Sequence, residues 1–254
     1  MLVKSDNDLV TSIQNLIRAI DGSRNVYESA TILHALLRSL QAKDNKRFRE
    51  FATGQQSASE GFILLLDCLD IKNINTIFTH KYEERVVVRS NPDQVESKVI
   101  GYNNQFMVFD EEELKRSGLV DYLKYHEHPL DEYKSERKNA DPNEKYNRSY
   151  ILRFLPRVIV ILLNRYHKRD RTISLPTEFD VSSCQFDGFM VYKKIAEIDH
   201  MGSLDGGHYI AKVHRNNKEY LCNDTEITEN KLSTSPNTYM TFYEYNRDKT
   251  ITYL

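Results

Sequence analysis

Apolar and polar positions alternate in two ways along this chain, at helical spacing in the first third and in short strand-like runs towards the end. Ile13, Leu16, Ile17 and Ile20 recur on one helix face until Asp21-Gly22-Ser23 breaks the pattern. Ile32, Leu33, Leu36, Leu37 and Leu40 form a second stripe, and Phe62 to Leu69 a third. The third stripe is entered through Ser57-Ala58-Ser59-Glu60, where a serine followed three residues later by glutamate predicts a capped helix start.

Beyond Ile71 the texture changes. Tyr82–Ser90 carries Val86, Val87 and Val88 among charges, which suits a strand. Between Asp110 and Arg148 the chain is strongly polar, which predicts a helix over Glu111–Leu123 followed by a surface loop. Val158–Leu163 is a continuous apolar run short enough for a buried strand. Phe189–Ile198, Tyr209–His214, Glu219–Cys222 and Tyr239–Tyr245 follow, separated by turn residues. Helices first and antiparallel strands later define an α+β order. No repeat or low-complexity linker interrupts it, so residues 1–254 are expected to form one domain.

Composition narrows the function classes. The 254 residues carry a formal net charge of -2, which argues against a broad nucleic-acid surface, and the run Lys212–Arg215 reads as a solvated face. No apolar stretch is long enough to span a membrane, and Met1–Val10 lacks the apolar core of a secretory signal. Cys68, Cys184 and Cys222 are odd in number and far apart, forming neither a disulfide framework nor a zinc pair. They are expected to be reduced thiols in an intracellular protein of the cytoplasm or nucleus.

The densest chemistry lies in His200-Met201-Gly202-Ser203-Leu204-Asp205-Gly206-Gly207-His208-Tyr209. Glycines here let the backbone approach an extended ligand, and His208 leads into a strand that fixes its orientation. Asn223-Asp224 follows fifteen residues after His208, and an Asn or Asp partner is what a histidine base needs to fix its tautomer. By itself a Gly-Gly-His turn is more often structural than catalytic.

Here the chain resembles the ubiquitin-specific proteases. Gly202-Ser203 through Gly207-His208-Tyr209-Ile210-Ala211 is similar to that family's histidine box, and Glu219–Ile227 to the segment after it. Tyr239–Glu244 resembles the closing strand, and Leu155–Tyr166 the strand that ends in Lys-Arg-Phe. Gly54-Gln55-Gln56-Ser57-Ala58-Ser59-Glu60 resembles the Gly-Gln-Gln-Asp-Ala-x-Glu box. The resemblance implies a papain-like fold with a helical thumb (1–70), reduced fingers with a polar insert (71–154) and an antiparallel β palm (155–254). It also implies His208 as general base, Asn223 or Asp224 as its orienter, and Gly206, Gly207, Tyr209, Gln55 and Gln56 beside a channel for an extended tail.

Two departures follow. The family's cysteine box, Asn-x-Gly-Asn-Thr-Cys-Tyr, aligns with Asp21-Gly22-Ser23-Arg24-Asn25-Val26-Tyr27, which puts Val26 at the nucleophile and Asp21 at the oxyanion position. Valine has no lone pair, and a carboxylate repels a developing oxyanion. Many members also hold their fingers with zinc on two Cys-x-x-Cys pairs, yet residues 72–150 contain no cysteine. No metal or cofactor is therefore expected.

The preferred reading is an inactive domain that recognises the C-terminal tail of ubiquitin or a ubiquitin-like protein. The alternative is an active cysteine deubiquitinase whose nucleophile is substituted at residue 26 or lies elsewhere. A third is a scaffold in a larger protein assembly, with the 110–148 insert as its docking surface. None calls for a membrane or for direct nucleic-acid contact.

Overall fold

Ser57 and Glu60 cap a helix reciprocally in the computed structural model: the Ser57 amide donates to Glu60 Oε2 (3.1 Å) and the Glu60 amide to Ser57 Oγ (3.1 Å). That helix, α1, spans Ala58–Leu69. The structure describes residues 9–11, 13–15, parts of 34–49, 57–69, 74–102, 107–130, 133–135, 141–164, 173, 175–182, 190–203, 206–215, 218–224, 226–229 and 235–246. From the first two apolar stripes, Ile13 and Leu37 fall in helical turns, and the remaining members named above lie outside the described residues. Leu9, Val10 and Ala35 are buried with Leu64, Cys68 and Leu69 of α1.

Two sheets follow. The first has the order β2-β1-β5-β4, from β1 (Lys81–Val88), β2 (Asn91–Tyr102), β4 (Tyr125–Leu130) and β5 (Tyr146–Phe154). The second has the order β11-β10-β9-β8-β12-β6-β3, with β7 (Glu178–Asp180) against β8. Its strands are β3 (Met107–Asp110), β6 (Val158–Asn164), β8 (Val191–Gly202), β9 (Gly207–Arg215), β10 (Lys218–Asn223), β11 (Glu226–Glu229) and β12 (Thr238–Tyr245). All of its pairings are antiparallel except β3 with β6, which is parallel. The α+β order expected from sequence is the order observed.

Two expectations change. The helix expected over 111–123 is broken into α2 (Glu111–Ser117) and α3 (Leu119–Lys124) by Gly118, whose φ of 76° ends one helix and starts the next. The chain after it is strand β4 rather than loop, and its alternating half-buried and exposed residues include two histidines and a glutamate, which disguised the pattern.

Strand β6 explains how the layers join. Ile159, Ile161 and Leu163 point into a core shared with Tyr82 and Leu152 of the first sheet, Leu123 of α3, and Tyr192 and Tyr243. Val160 and Leu162 face the other way, into a cluster with Phe62 and Ile63 of α1 and with Ile198 and Phe242. A strand buried on both faces reads as an unbroken apolar run, which is what Val158–Leu163 is. Among the described residues no helix is long and apolar enough to cross a membrane.

Candidate functional site

Strands β8 and β9 form a hairpin whose register places His200 opposite Tyr209, Met201 opposite His208 and Gly202 opposite Gly207. The turn closes with the Ser203 amide donating to the Gly206 carbonyl at 2.7 Å, and Gly202 sits at φ 126°, which an L side chain rarely adopts. At Gly207 a Cβ would lie 2.2 Å from His200 Nε2 and 2.7 Å from the Met201 carbonyl oxygen. The glycine is required because the His200 ring and the facing backbone fill that space.

His200 is held from the opposite side of the sheet to His208. Its ring stacks on Tyr209 (4.4 Å between centroids, 28°) and meets Tyr239 edge-on at 6.2 Å. The Tyr239 hydroxyl lies 2.9 Å from Ser59 Oγ on α1. The histidine hairpin is thereby tied to the helix that follows the Gln55-Gln56 box.

On the other face, His208 Nε2 is 2.6 Å from Asn223 Oδ1. Asn223 stands diagonally from His208 across β9 and β10, where side chains on one face still reach each other. With Nε2–H donating to the amide oxygen, the Nδ1 lone pair is left as the ring's basic atom. Asp224 occupies the left-handed region at φ 51° and makes the turn after β10. Of the two candidate orienters, Asn223 is the one bonded to the ring.

The same face of β8 and β9 carries a buried charge network. Lys212 Nζ lies 3.1 Å from Glu197 and 2.9 Å from Asp199, and Lys194 Nζ lies 2.9 Å from Glu197. Thr238 Oγ1 also donates to Glu197 at 3.0 Å. Burial pushes the Glu197 carboxyl up, but Lys194 and Lys212 outweigh it and hold it below its ordinary range. Lys212 is only 6% exposed, so the expectation of a solvated basic run fails at that residue. Nothing in the residue pattern alone distinguished it from a surface lysine.

Cys222 pairs with Ala211, on the face away from His208, and burial pushes its thiol up. Cys68 is 1% exposed in the α1 core. Neither is placed to act as a nucleophile for His208. Cys184, Val26, Asp21, Gln55 and Gln56 lie outside the described residues, whereas Gly206, Gly207 and Tyr209 frame the hairpin described above. Among the described residues no group of three or more histidine, cysteine, aspartate or glutamate side chains is placed to hold a metal ion.

Comparison with known proteins covers nearly the whole chain. The family model described as "Ubiquitin carboxyl-terminal hydrolase" matches residues 2–243. No curated protein matches significantly. Among solved structures, the SAGA DUB module Ubp8/Sgf11/Sus1/Sgf73 bound to monoubiquitin is similar at a TM-score of 0.72 and 17% identity. That match covers 95% of this chain and 59% of the other. The same module bound to ubiquitin aldehyde is similar at a TM-score of 0.73 and 16% identity, covering 96% and 61%. A yeast SAGA DUB module is similar at 0.62 and 16%, covering 97% and 64%. The chain thus spans about three-fifths of the length of the solved chains it resembles, and the fold they share is of the ubiquitin-specific-protease type.

Proposed function

Since the chain belongs to the ubiquitin carboxyl-terminal hydrolase family, we propose that it recognises ubiquitin or a ubiquitin-like protein through an extended C-terminal tail, without cleaving it. The observation that carries this reading is the His208–Asn223 pair at 2.6 Å beside the Gly206-Gly207 turn. Gly206, exposed at the turn and without a side chain, leaves room for an extended backbone to approach the pair. Structures similar in fold bind monoubiquitin and ubiquitin aldehyde.

Cleavage would need a thiolate at residue 26. An imidazole with a free Nδ1 lone pair accepts a thiol proton and returns it to the leaving amine. Val26 has no proton to give and no lone pair to attack with. By its resemblance to the family's cysteine box, Asp21 takes the oxyanion position, where a carboxylate repels developing negative charge. The His–Asn pair then shapes the tail site and transfers nothing.

The alternative, an active thiol isopeptidase, is favoured by that same pair, which has the geometry a base and its orienter require. Calorimetry with ubiquitin, run beside a cleavage assay on this chain and on Val26→Cys, separates the two. Binding without cleavage in the native chain, with turnover gained in Val26→Cys, supports tail recognition by an inactive domain. Cleavage by the native chain would establish the active reading. Absence of binding by both proteins would remove ubiquitin as the partner.

A further inference from the structure

The four-stranded sheet has one face against the core and one open. Register puts Lys81, Glu83 and Arg85 of β1, Lys98 of β2 and Glu127 of β4 on the open side, and its contact to Glu83 brings Arg153 of β5 there. At its centre the Glu83 side chain is only 3% exposed, because Arg85 (2.6 Å), Arg153 (2.6 Å) and Lys98 (3.1 Å) all close on it. Burial pushes that carboxyl up, but the three cations overcome it and hold it down at about 2, so it stays charged.

Three cations around one carboxylate do not cancel. With Lys81 and Glu127 included, four cations face two carboxylates, a surplus of two positive charges on a single sheet face. The cations remain accessible, Lys98 at 53% and Arg153 at 33% side-chain exposure. Beside them stand two exposed aromatics, Tyr125 at 45% and Phe154 at 47%, with Lys81 Nζ 5.8 Å above the Phe154 ring. Arginine with exposed aromatic rings is the composition of protein-docking surfaces.

We propose that this face docks an acidic segment of a partner protein, with carboxylates meeting Arg85, Lys98 and Arg153 and apolar side chains covering Tyr125 and Phe154. The complementarity is local: the whole chain carries a net charge of -2, so the attraction comes from this patch and not from the protein's overall field. A nucleic acid fits less well, since a surplus of two charges neutralises few phosphates. The surface is also separate from the tail site. His208 lies on β9, three strand spacings, or about 14 Å, from β6, and the shared core lies beyond. The inference stands whether or not the tail reading does.

The test uses the full chain and fluorescence anisotropy with a labelled glutamate- and aspartate-rich peptide carrying aromatic residues. The expected result is salt-sensitive binding that the glutamine and asparagine counterpart of the peptide does not show. Lys98→Glu combined with Lys81→Glu should weaken binding about tenfold or more, and Glu127→Lys should strengthen it. Lys98→Glu gives up the 3.1 Å contact to Glu83 but leaves Arg85 and Arg153 on it, and circular dichroism checks that the variants fold. Lys218→Glu, on exposed strand β10, should change nothing. Equal affinity for acidic and neutral peptides, or indifference to Lys98→Glu, overturns the proposal. So does an oligonucleotide that binds more tightly than the peptide with the same variant pattern. Loss of ubiquitin binding in these same variants would also overturn it, by making the face part of the ubiquitin site.

Discussion

At the scale of single residues, strand spacing alone brings His208 within 2.6 Å of Asn223. His208 and Asn223 were readable because a hairpin and one further strand fix their separation, so fifteen residues of sequence translate into one diagonal contact of 2.6 Å. The choice between Asn223 and Asp224 was not readable, since it depends on which of two neighbours turns with a left-handed backbone. Alanine at Asn223 should leave the fold intact but free the imidazole: the ring-nitrogen NMR signal expected for the Nε2–H tautomer in the native chain should disappear. Persistence of that signal would show that another group holds the ring. Gly207 makes a sharper demand. Alanine there places a methyl group 2.2 Å from His200 Nε2 and 2.7 Å from a carbonyl oxygen. The ring can move but the facing strand cannot, so Gly207→Ala should cost about 1–3 kcal/mol of stability in chemical denaturation. An unchanged denaturation midpoint would mean that the turn relaxes at no cost.

At the scale of elements, the third apolar stripe and the apolar run at 158–163 form the helix and strand expected, whereas the polar stretch after Asp110 does not follow its expected helix and loop. The capping box at Ser57 and Glu60 and the two-faced strand β6 each carry a local signature, one of capping chemistry and one of burial on both sides. Strands β2, β4 and β5 carry none. They form a sheet with one open, charged face, and their inward residues include His126, Arg148 and Tyr150, which a hydrophobicity pattern scores as surface. His80, immediately before β1, belongs with them: it is 2% exposed, stands edge-on to Tyr82, and burial lowers its pKa from 6.5 to about 4. Because the folded value lies below the unfolded one, the unfolded chain gains a proton first as pH falls. Stability is therefore complete above pH 6.5 and should decline between 6.5 and about 4, by up to about 3 kcal/mol from this residue. Urea denaturation across that range should show the decline, and His80→Phe should flatten it. A parallel slope in the variant would assign the effect to other groups.

At the scale of the whole molecule, the sequence has no cysteine between residues 72 and 150 and does not say what holds that region together. The described structure supplies an answer in two parts. Val86, Val88 and Tyr146 form a small cluster within the four-stranded sheet, and the larger core joins its base, through Tyr82 and Leu152, to β6, β8 and β12. Leu123 of α3 is fully buried in that shared core, so both sheets depend on it. Two consequences can be measured together. Dialysis against a chelator should leave the melting temperature unchanged, because no cysteine pair holds this region and hydrophobic contacts do. Leu123→Ala should cost about 2–5 kcal/mol. Hydrogen exchange should then accelerate in β1 and β5 and in β6 and β12 alike, since one core serves both sheets. Acceleration confined to the four-stranded sheet would show that the two sheets unfold as separate units. A chelator-dependent melt would reveal a metal held by residues other than the cysteines of the family pattern.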